Sequence, residues 1–223
     1  MSSLAARYAA VMADVAAAAT EAARDPAAIT TIVVTKFHPA SLVRELASLG
    51  AHDVGENRHQ EASAKAAELA DLDLRWHFVG QLQANKAAAA LEYASVLHSV
   101  DRVSLVEAIE KTGKPVEAFI QLNLTDDPHR GGVHEAELEA LATRILASER
   151  IVLRGLMAVA PLGAEPRAAF ARVRAVSERL LRVAPTASDL SMGMSGDYRE
   201  AILEGATHLR IGTAITGNRP PQG

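Results

Sequence analysis

Eight short β-prone runs, each followed by a helical pattern, constrain the fold of this chain more than any other feature. They fall at 31–36 (TIVVTK), 52–57 (HDVGEN), 75–80 (RWHFVG), 95–100 (SVLHSV), 116–123 (VEAFIQLN), 153–159 (LRGLMAV), 189–194 (DLSMGM) and 207–212 (THLRIG). The helical stretches between them carry their own punctuation. In SLVRELASLG, Ser41 is placed to cap the start, Leu42, Leu46 and Leu49 share a face, and Gly50 is a stop. Leu138, Leu141 and Ile145 recur at helical spacing further on, as do Phe170, Val173 and Leu180. Strands alternating with helices pair in parallel through right-handed crossovers, which leaves a closed (β/α)8 barrel of the TIM type or an open doubly wound sheet. The count of eight favours the barrel. Such barrels typically take about 250 residues, so a chain of 223 must have short loops.

An alanine-rich helix precedes the first strand, and no serine-, glycine- or proline-rich linker divides the chain. Residues 1–223 therefore read as one domain, with 1–25 an N-terminal helix packed on the barrel. Arg7, Asp14, Glu21 and Arg24 interrupt that helix, unlike the apolar core of a secretory leader or the roughly 20 apolar residues of a membrane span. A cytoplasmic protein with no membrane partner is expected. The 23 basic residues are scattered among 27 acidic ones, and a net charge of −4 gives no basic surface for nucleic acid. With no cysteine, disulfides, thiolate metal sites and thiol nucleophiles are excluded. The eight histidines show no pair at metal-ligand spacing with a suitable carboxylate, so no metal is expected, and His52, His98 and His208 read as packing or surface residues.

In closed barrels of this kind the chemistry gathers at the C-terminal strand ends. Here those ends bring Lys36, Glu56 and Asn57, Gly80 and Gln81, Ser99 and Asp101, Asn123, Ser195, and Gly212 and Thr213 to one rim. A lysine at a strand end also has a plain explanation, since strands stop at the surface. Two segments nevertheless suggest an anion cradle. In SMGMSGDYREAILEG a strand passes through Gly196 into a helix, so backbone N–H groups and the Ser195 hydroxyl face outward. The same segment admits simple capping, with Asp197 and Glu200 as a capping box. In LRIGTAITG, Gly212 permits close backbone approach and Thr213 adds a hydroxyl. Arg210, two residues before Gly212, points into the barrel, where its donors demand an acceptor. A lysine, an anion cradle and an inward arginine form the set that pyridoxal phosphate chemistry uses.

The motifs VVTKFHP, DVGENRHQE, WHFVGQLQANK, HSVDR, GLMAV, LSMGMSGDYREAI and RIGTAITG occur in this order, and with them the chain resembles the pyridoxal phosphate homeostasis proteins. These are single-domain relatives of the alanine racemase barrel, the fold-type III pyridoxal phosphate barrel. The resemblance implies that Lys36 carries pyridoxal 5′-phosphate as an internal aldimine. It further implies that Ser195, Gly212 and Thr213 bind the phosphate, that Arg210 faces the ring nitrogen, and that Asn57, His77 and Met194 line the same pocket. Thr35, Phe37 and His38 depart from the residues usual around the lysine, and His129 and Arg130 leave open which charge faces the site.

Guanidinium is permanently charged and can only donate, so a ring nitrogen facing Arg210 stays unprotonated and the ring is a weaker electron sink. Related racemases add a tyrosine base from an extra β domain, for which the tail GNRPPQG leaves no room. Of Tyr8, Tyr93 and Tyr198, only Tyr198 follows the cradle segment, and it is expected to pack on its own helix. The expected function is therefore a pyridoxal phosphate carrier in cofactor homeostasis, with no catalytic residue and no robust turnover. Amino acids or apo-enzymes receiving the cofactor are the implied partners, and a monomer is expected because barrel closure removes sheet edges. The alternatives are a low-activity pyridoxal phosphate-dependent racemase and a cofactor-free Schiff-base aldolase. Glu56 reads either as an orienter of Asn57 or as a plain strand-end carboxylate, and Met192 and Met194 as packing beneath the cradle.

Overall fold

The computed structural model describes residues 2–125, 127 and 130–218. The expectations on His129 and on the tail from 219 onward lie outside the described residues. Eight strands, β1 (Thr30–Val34), β2 (Asp53–Glu56), β3 (Arg75–Phe78), β4 (Ala94–Val100), β5 (Val116–Gln121), β6 (Ile151–Met157), β7 (Asp189–Ser191) and β8 (His208–Ile211), pair in sequence order and in parallel. The barrel closes where β1 pairs with β8, from Thr30 opposite His208 to Val33 opposite Ile211. Each expected run overlaps a strand, but β1 stops two residues before Lys36 and β7 three before Met194. The lysine and the cradle therefore sit on the loops that follow the strands.

The helices are α1 (Leu4–Glu21), α2 (Ala40–Ser48), α3 (His59–Glu68), α4 (Ala87–Ala90), α5 (Val103–Glu110), α6 (Leu138–Leu146), α7 (Pro166–Val183), α8 (Tyr198–Leu203) and α9 (Thr213–Thr216). Helix α2 begins one residue earlier than expected, capped by Pro39 without a side-chain bond, so Ser41 lies within its first turn. Proline is tolerated there because no intrahelical bond uses the N–H at that position. Its inward face is Ala40, Val43 and Leu46, while Gly50, at φ +91, ends the turn as expected. The spacings read for the sixth and seventh helices hold: Leu138, Leu141, Ile145, Phe170, Val173 and Leu180 are all buried. They pack on outward strand residues such as Ile120, Leu156 and Leu190, each such side chain contributing about 1.5–3 kcal/mol by burial.

The charges that interrupt α1 fasten it to the barrel. Arg7 donates to the carbonyls of Ile215 (2.7 Å) and Thr216 (3.3 Å) at the end of α9. Asp14 accepts from the Tyr198 hydroxyl and pairs with Arg199 on α8, and Arg24 donates to the carbonyls of Ile202 and Ala206. The first helix thus braces both segments of the cradle. Among the described residues no helix is long and apolar enough to cross a membrane.

The barrel interior departs from the branched aliphatic layers usual in this architecture. Alternation sends Trp76 and Phe78 outward and His77 inward, where its ring meets His98 (5.2 Å between centroids). His98 stacks on Phe119 at 4.6 Å, and His208 meets Phe119 edge-on at 5.1 Å. Three imidazoles occupy space that Val or Ile normally fills.

Candidate functional site

At the C-terminal mouth, Lys36, Asn57, Gly80, Met194, Ser195, Arg210, Gly212 and Thr213 line a single cavity of about 440 Å³, with Val34, Val79, Met157 and Val159 as its apolar wall. Seven of the eight expected site residues are thus brought together. His77 is not among them. It is 1% exposed, its two ring nitrogens hydrogen-bonded to His98 (2.9 Å) and Asp53 (2.8 Å), inside the barrel and away from the lining. Other strand-end groups are also diverted: Asp101 accepts from the Gly132 N–H, Asn123 folds its own loop through the carbonyls of Asp127 and Arg130, and Ser99 is buried without a partner.

Lys36 follows a tightly held strand end. Thr35 donates its hydroxyl to Glu56 (2.7 Å), and Lys65, from α3, donates to both Glu56 (2.6 Å) and the Thr35 carbonyl (2.8 Å). Glu56 is fully buried and Lys65 nearly so. Burial pushes the Glu56 carboxyl up, and the Lys65 and Thr35 donors pull it back. Glu56 is therefore neither an orienter of Asn57 nor an idle strand end; it ties β1, β2 and α3 together beneath Lys36. On the other side Phe37 adopts a left-handed backbone at φ +67, a strained conformation for an aromatic residue. The Glu61 carboxylate accepts its N–H at 2.9 Å, and the Arg58 guanidinium lies 4.9 Å over its ring. Among the described residues no carboxylate pairs with the exposed Lys36 ammonium, which is left to face the cavity.

The cradle is built from two loops. Gly193, at φ +92, turns the chain after β7; a Cβ there would stand 2.6 Å from that of Ala201. Ser195 Oγ then accepts from the N–H groups of Gly212 and Ala214, both at 3.2 Å. With both N–H bonds received, the hydroxyl proton is free to be donated to an anion. The capping box, the other reading of this segment, is not formed: the Asp197 side chain makes no cap bond on α8 and instead accepts from the Met194 N–H at 2.6 Å. Met192 is buried as expected, whereas Met194 is 38% exposed at the mouth. Gly80 lets the third strand loop abut the second, since a Cβ would fall 2.3 Å from the Asn57 carbonyl oxygen. Asn57 itself presents a buried amide oxygen with no donor partner.

Arg210 enters the cavity from below. It is 5% exposed and donates to Ser191 Oγ (2.7 Å) and the Ala158 carbonyl (2.8 Å), which supplies the acceptors its burial requires. Burial lowers its pKa to about 10, so it keeps its charge at neutral pH. The Tyr198 hydroxyl turns away to Asp14, and burial together with that carboxylate raises it to about 12. Tyr93 lies just after α4 and packs edge-on against Trp76.

The interior histidines carry a cost at low pH. Burial pushes His208 down to about 4 and lowers His77 and His98 as well. An unfolded imidazole takes its proton near 6.5, so between pH 6.5 and 4 the unfolded chain binds protons that the folded one refuses. Stability is whole above that window and falls through it, by about 3 kcal/mol from His208 alone. Glu56, raised by burial, works weakly in the opposite sense at the acid end. Urea unfolding at pH 7 and pH 4.5 should show a clearly lower midpoint at the acid value; equal midpoints would contradict neutral burial of these rings.

The family model described as alanine racemase, N-terminal domain, matches residues 8–220. The pyridoxal phosphate homeostasis protein of Pseudomonas aeruginosa is 42% identical, covering 98% of this chain and 97% of its own, and that of Escherichia coli is 36% identical with 98% of each covered. Among solved structures, PipY of Synechococcus elongatus with PLP bound superposes with a TM-score of 0.85 at 37% identity, over 96% of this chain and all of that one. Alanine racemase of Corynebacterium glutamicum, at 17% identity and TM-score 0.67, shares the fold over 92% of this chain and 59% of its own. On these matches the chain belongs to the alanine racemase N-terminal domain family and, within it, to the pyridoxal phosphate homeostasis proteins.

Proposed function

We propose that this protein binds pyridoxal 5′-phosphate covalently and reversibly through Lys36 and serves cofactor homeostasis without sustained turnover. The observation that carries this reading is the Lys36 ammonium, unpaired among the described residues, in the same cavity as Ser195 and Arg210. The residues present suit the cofactor: an amine for the aldehyde, a free hydroxyl proton for the phosphate, a guanidinium for the ring nitrogen, and an orphaned Asn57 oxygen awaiting a donor. Bound cofactor supplies an aldehyde carbon that condenses with the lysine amine, forming a C=N bond and releasing water. The PLP-bound PipY structure and the relatives' names support the same ligand.

Two features support holding over turnover. The cavity lining carries no carboxylate, imidazole or phenol among the described residues, so Lys36 has no second base opposite it. Arg210 donates and does not protonate, which leaves the ring a poor electron sink. An incoming amine, such as an amino acid, would free the Lys36 amine by exchange, the cofactor leaving joined to that amine. A cytoplasmic monomer passing cofactor to apo-enzymes fits this chemistry, with barrel closure leaving no free sheet edge.

The test is the visible spectrum after incubation with pyridoxal phosphate, then borohydride reduction and peptide mass mapping. A yellow band that disappears on reduction, with the pyridoxyl mass on Lys36, is the expected result. A colourless, unmodified protein, or an adduct confined to other lysines, overturns the proposal. Sustained α-proton exchange of alanine in deuterated solvent would replace the homeostasis reading with that of a racemase.

A further inference from the structure

A continuous hydrogen-bonded chain crosses the barrel interior from the cavity to the opposite end. Arg210 Nη1 donates to Ser191 Oγ at 2.7 Å, Ser191 Oγ lies 2.8 Å from His98 Nδ1, and His98 Nε2 lies 2.9 Å from His77 Nδ1. His77 Nε2 then meets Asp53 Oδ1 at 2.8 Å. Asp53 is the first residue of β2, at the far end of the barrel, and its side chain is 26% exposed. The chain uses five strands, β8, β7, β4, β3 and β2, and its middle members are 0–1% exposed.

The chemistry of the two ends fixes the direction of every bond between them. Guanidinium can only donate and a carboxylate can only accept. Burial alone would raise the Asp53 carboxyl, but the His77 bond and the nearby Arg75 hold it below its usual value, so it is ionised at neutral pH. His77 must then donate from Nε2 and, being neutral, accept at Nδ1. The proton accepted there is on His98 Nε2, so His98 Nδ1 is bare and receives the Ser191 proton. Ser191 Oγ, its one proton spent on His98, is left with lone pairs for Arg210. The other acceptor of Arg210, the Ala158 carbonyl on Nη2, completes the clamp on the guanidinium.

We propose that Asp53 is a positioning residue for Arg210: from the far end of the barrel it sets the tautomers of His77 and His98, and through Ser191 it keeps the guanidinium aimed at the cavity. Arg75, which pairs with Glu117, and Arg154, which pairs with Asp189, are the other charges at that end, and both have carboxylates of their own. Asp53 is the carboxylate joined to the interior chain. What Arg210 does for a ligand rests on the function proposed above; the tautomers do not.

Nitrogen-15 spectra of the imidazoles, recorded on the full chain without cofactor, test the direction. Both His77 and His98 are expected as neutral rings protonated on Nε2 at neutral pH. In Asp53→Asn, an amide that can donate or accept, at least one ring should shift toward the Nδ1-protonated form. In Ser191→Ala, His77 should keep its tautomer while the His98 Nδ1 signal moves to that of an unbonded nitrogen. With pyridoxal phosphate added, Asp53→Asn should bind about five- to tenfold more weakly, the loss of roughly one ordinary hydrogen bond, with a shifted absorption maximum. A wild-type ring protonated on Nδ1 overturns the proposal, as does an Asp53→Asn protein whose tautomers and bound-cofactor spectrum match the wild type. If no cofactor binds to the wild type, the functional reading fails while the tautomer result still decides this one.

Discussion

Lys36→Ala, mixed with pyridoxal phosphate and reduced with borohydride, should carry no adduct and show no visible aldehyde–amine band, while the phosphate cradle continues to bind. The separation is possible because anchor and cradle are built by different parts of the fold. Lys36 lies on the loop after β1, whereas Ser195 and Gly212 belong to the loops after β7 and β8 and the Ala214 N–H to the first turn of α9, joined through Ser195 Oγ and braced by α1. Removing the amine touches none of these bonds. The variant should therefore still bind pyridoxine 5′-phosphate, which has the phosphate and ring but no aldehyde, with an affinity close to that of the wild type. Titration calorimetry with that analogue, beside the reduced-adduct mass, gives both numbers. An adduct that survives on another lysine would remove Lys36 from its role, and loss of analogue binding would show that anchor and cradle are not independent.

Glu56→Ala is expected to cost about 3–5 kcal/mol of folding stability, the usual penalty for leaving one member of a buried pair behind. Here the member left behind is Lys65, 9% exposed at its side chain, with only the Thr35 carbonyl remaining as acceptor. For a domain of this size that corresponds to a fall in melting temperature on the order of 10 °C. The paired replacement Glu56→Leu with Lys65→Met removes both charges together and should recover most of the loss, because apolar packing commonly matches a buried ion pair. Thermal unfolding of the single and double variants settles it. A single variant within about 1 kcal/mol of wild type would mean that water enters and solvates Lys65. The Thr35 bond makes the effect local to the anchor, so the single variant should also load cofactor less completely than the double.

Much of this was legible in the chain before the fold was known. Most of the eight strands announce themselves as short β-branched or apolar runs between helices, β2 (DVGE) and β7 (DLS) being the weakest signals, and the inward direction of Arg210 follows from strand alternation two residues before Gly212. Lys36, Asn57, Ser195, Gly212 and Thr213 follow from reading strand ends as one rim. The same alternation applied to His77, between outward Trp76 and Phe78, places it in the barrel interior and not on the cavity wall. Lys65 also left a trace: Ala62, Lys65 and Leu69 fall at helical spacing on one buried face, so a charge sits where the pattern asks for an apolar residue. What pattern could not give was the acceptor of each buried donor. Glu56 as the partner of Lys65, and Asp197 closing on Met194 instead of capping α8, depend on how loops from separate strands meet.

The closure of the barrel by its first and last strands has a consequence for how the protein is made. During synthesis the chain emerges N-terminus first, so the amine appears early and both halves of the anion cradle appear last. Until β8 is available, β1 lacks one of its two neighbours, and Arg7 has no Ile215 or Thr216 carbonyl to hold. A ribosome-bound fragment thus displays Lys36 on an incomplete sheet with nothing to receive a phosphate. On the function proposed above, selective capture of the aldehyde is confined to the finished molecule, and the pairing that closes the barrel joins Thr30–Val33 to His208–Ile211.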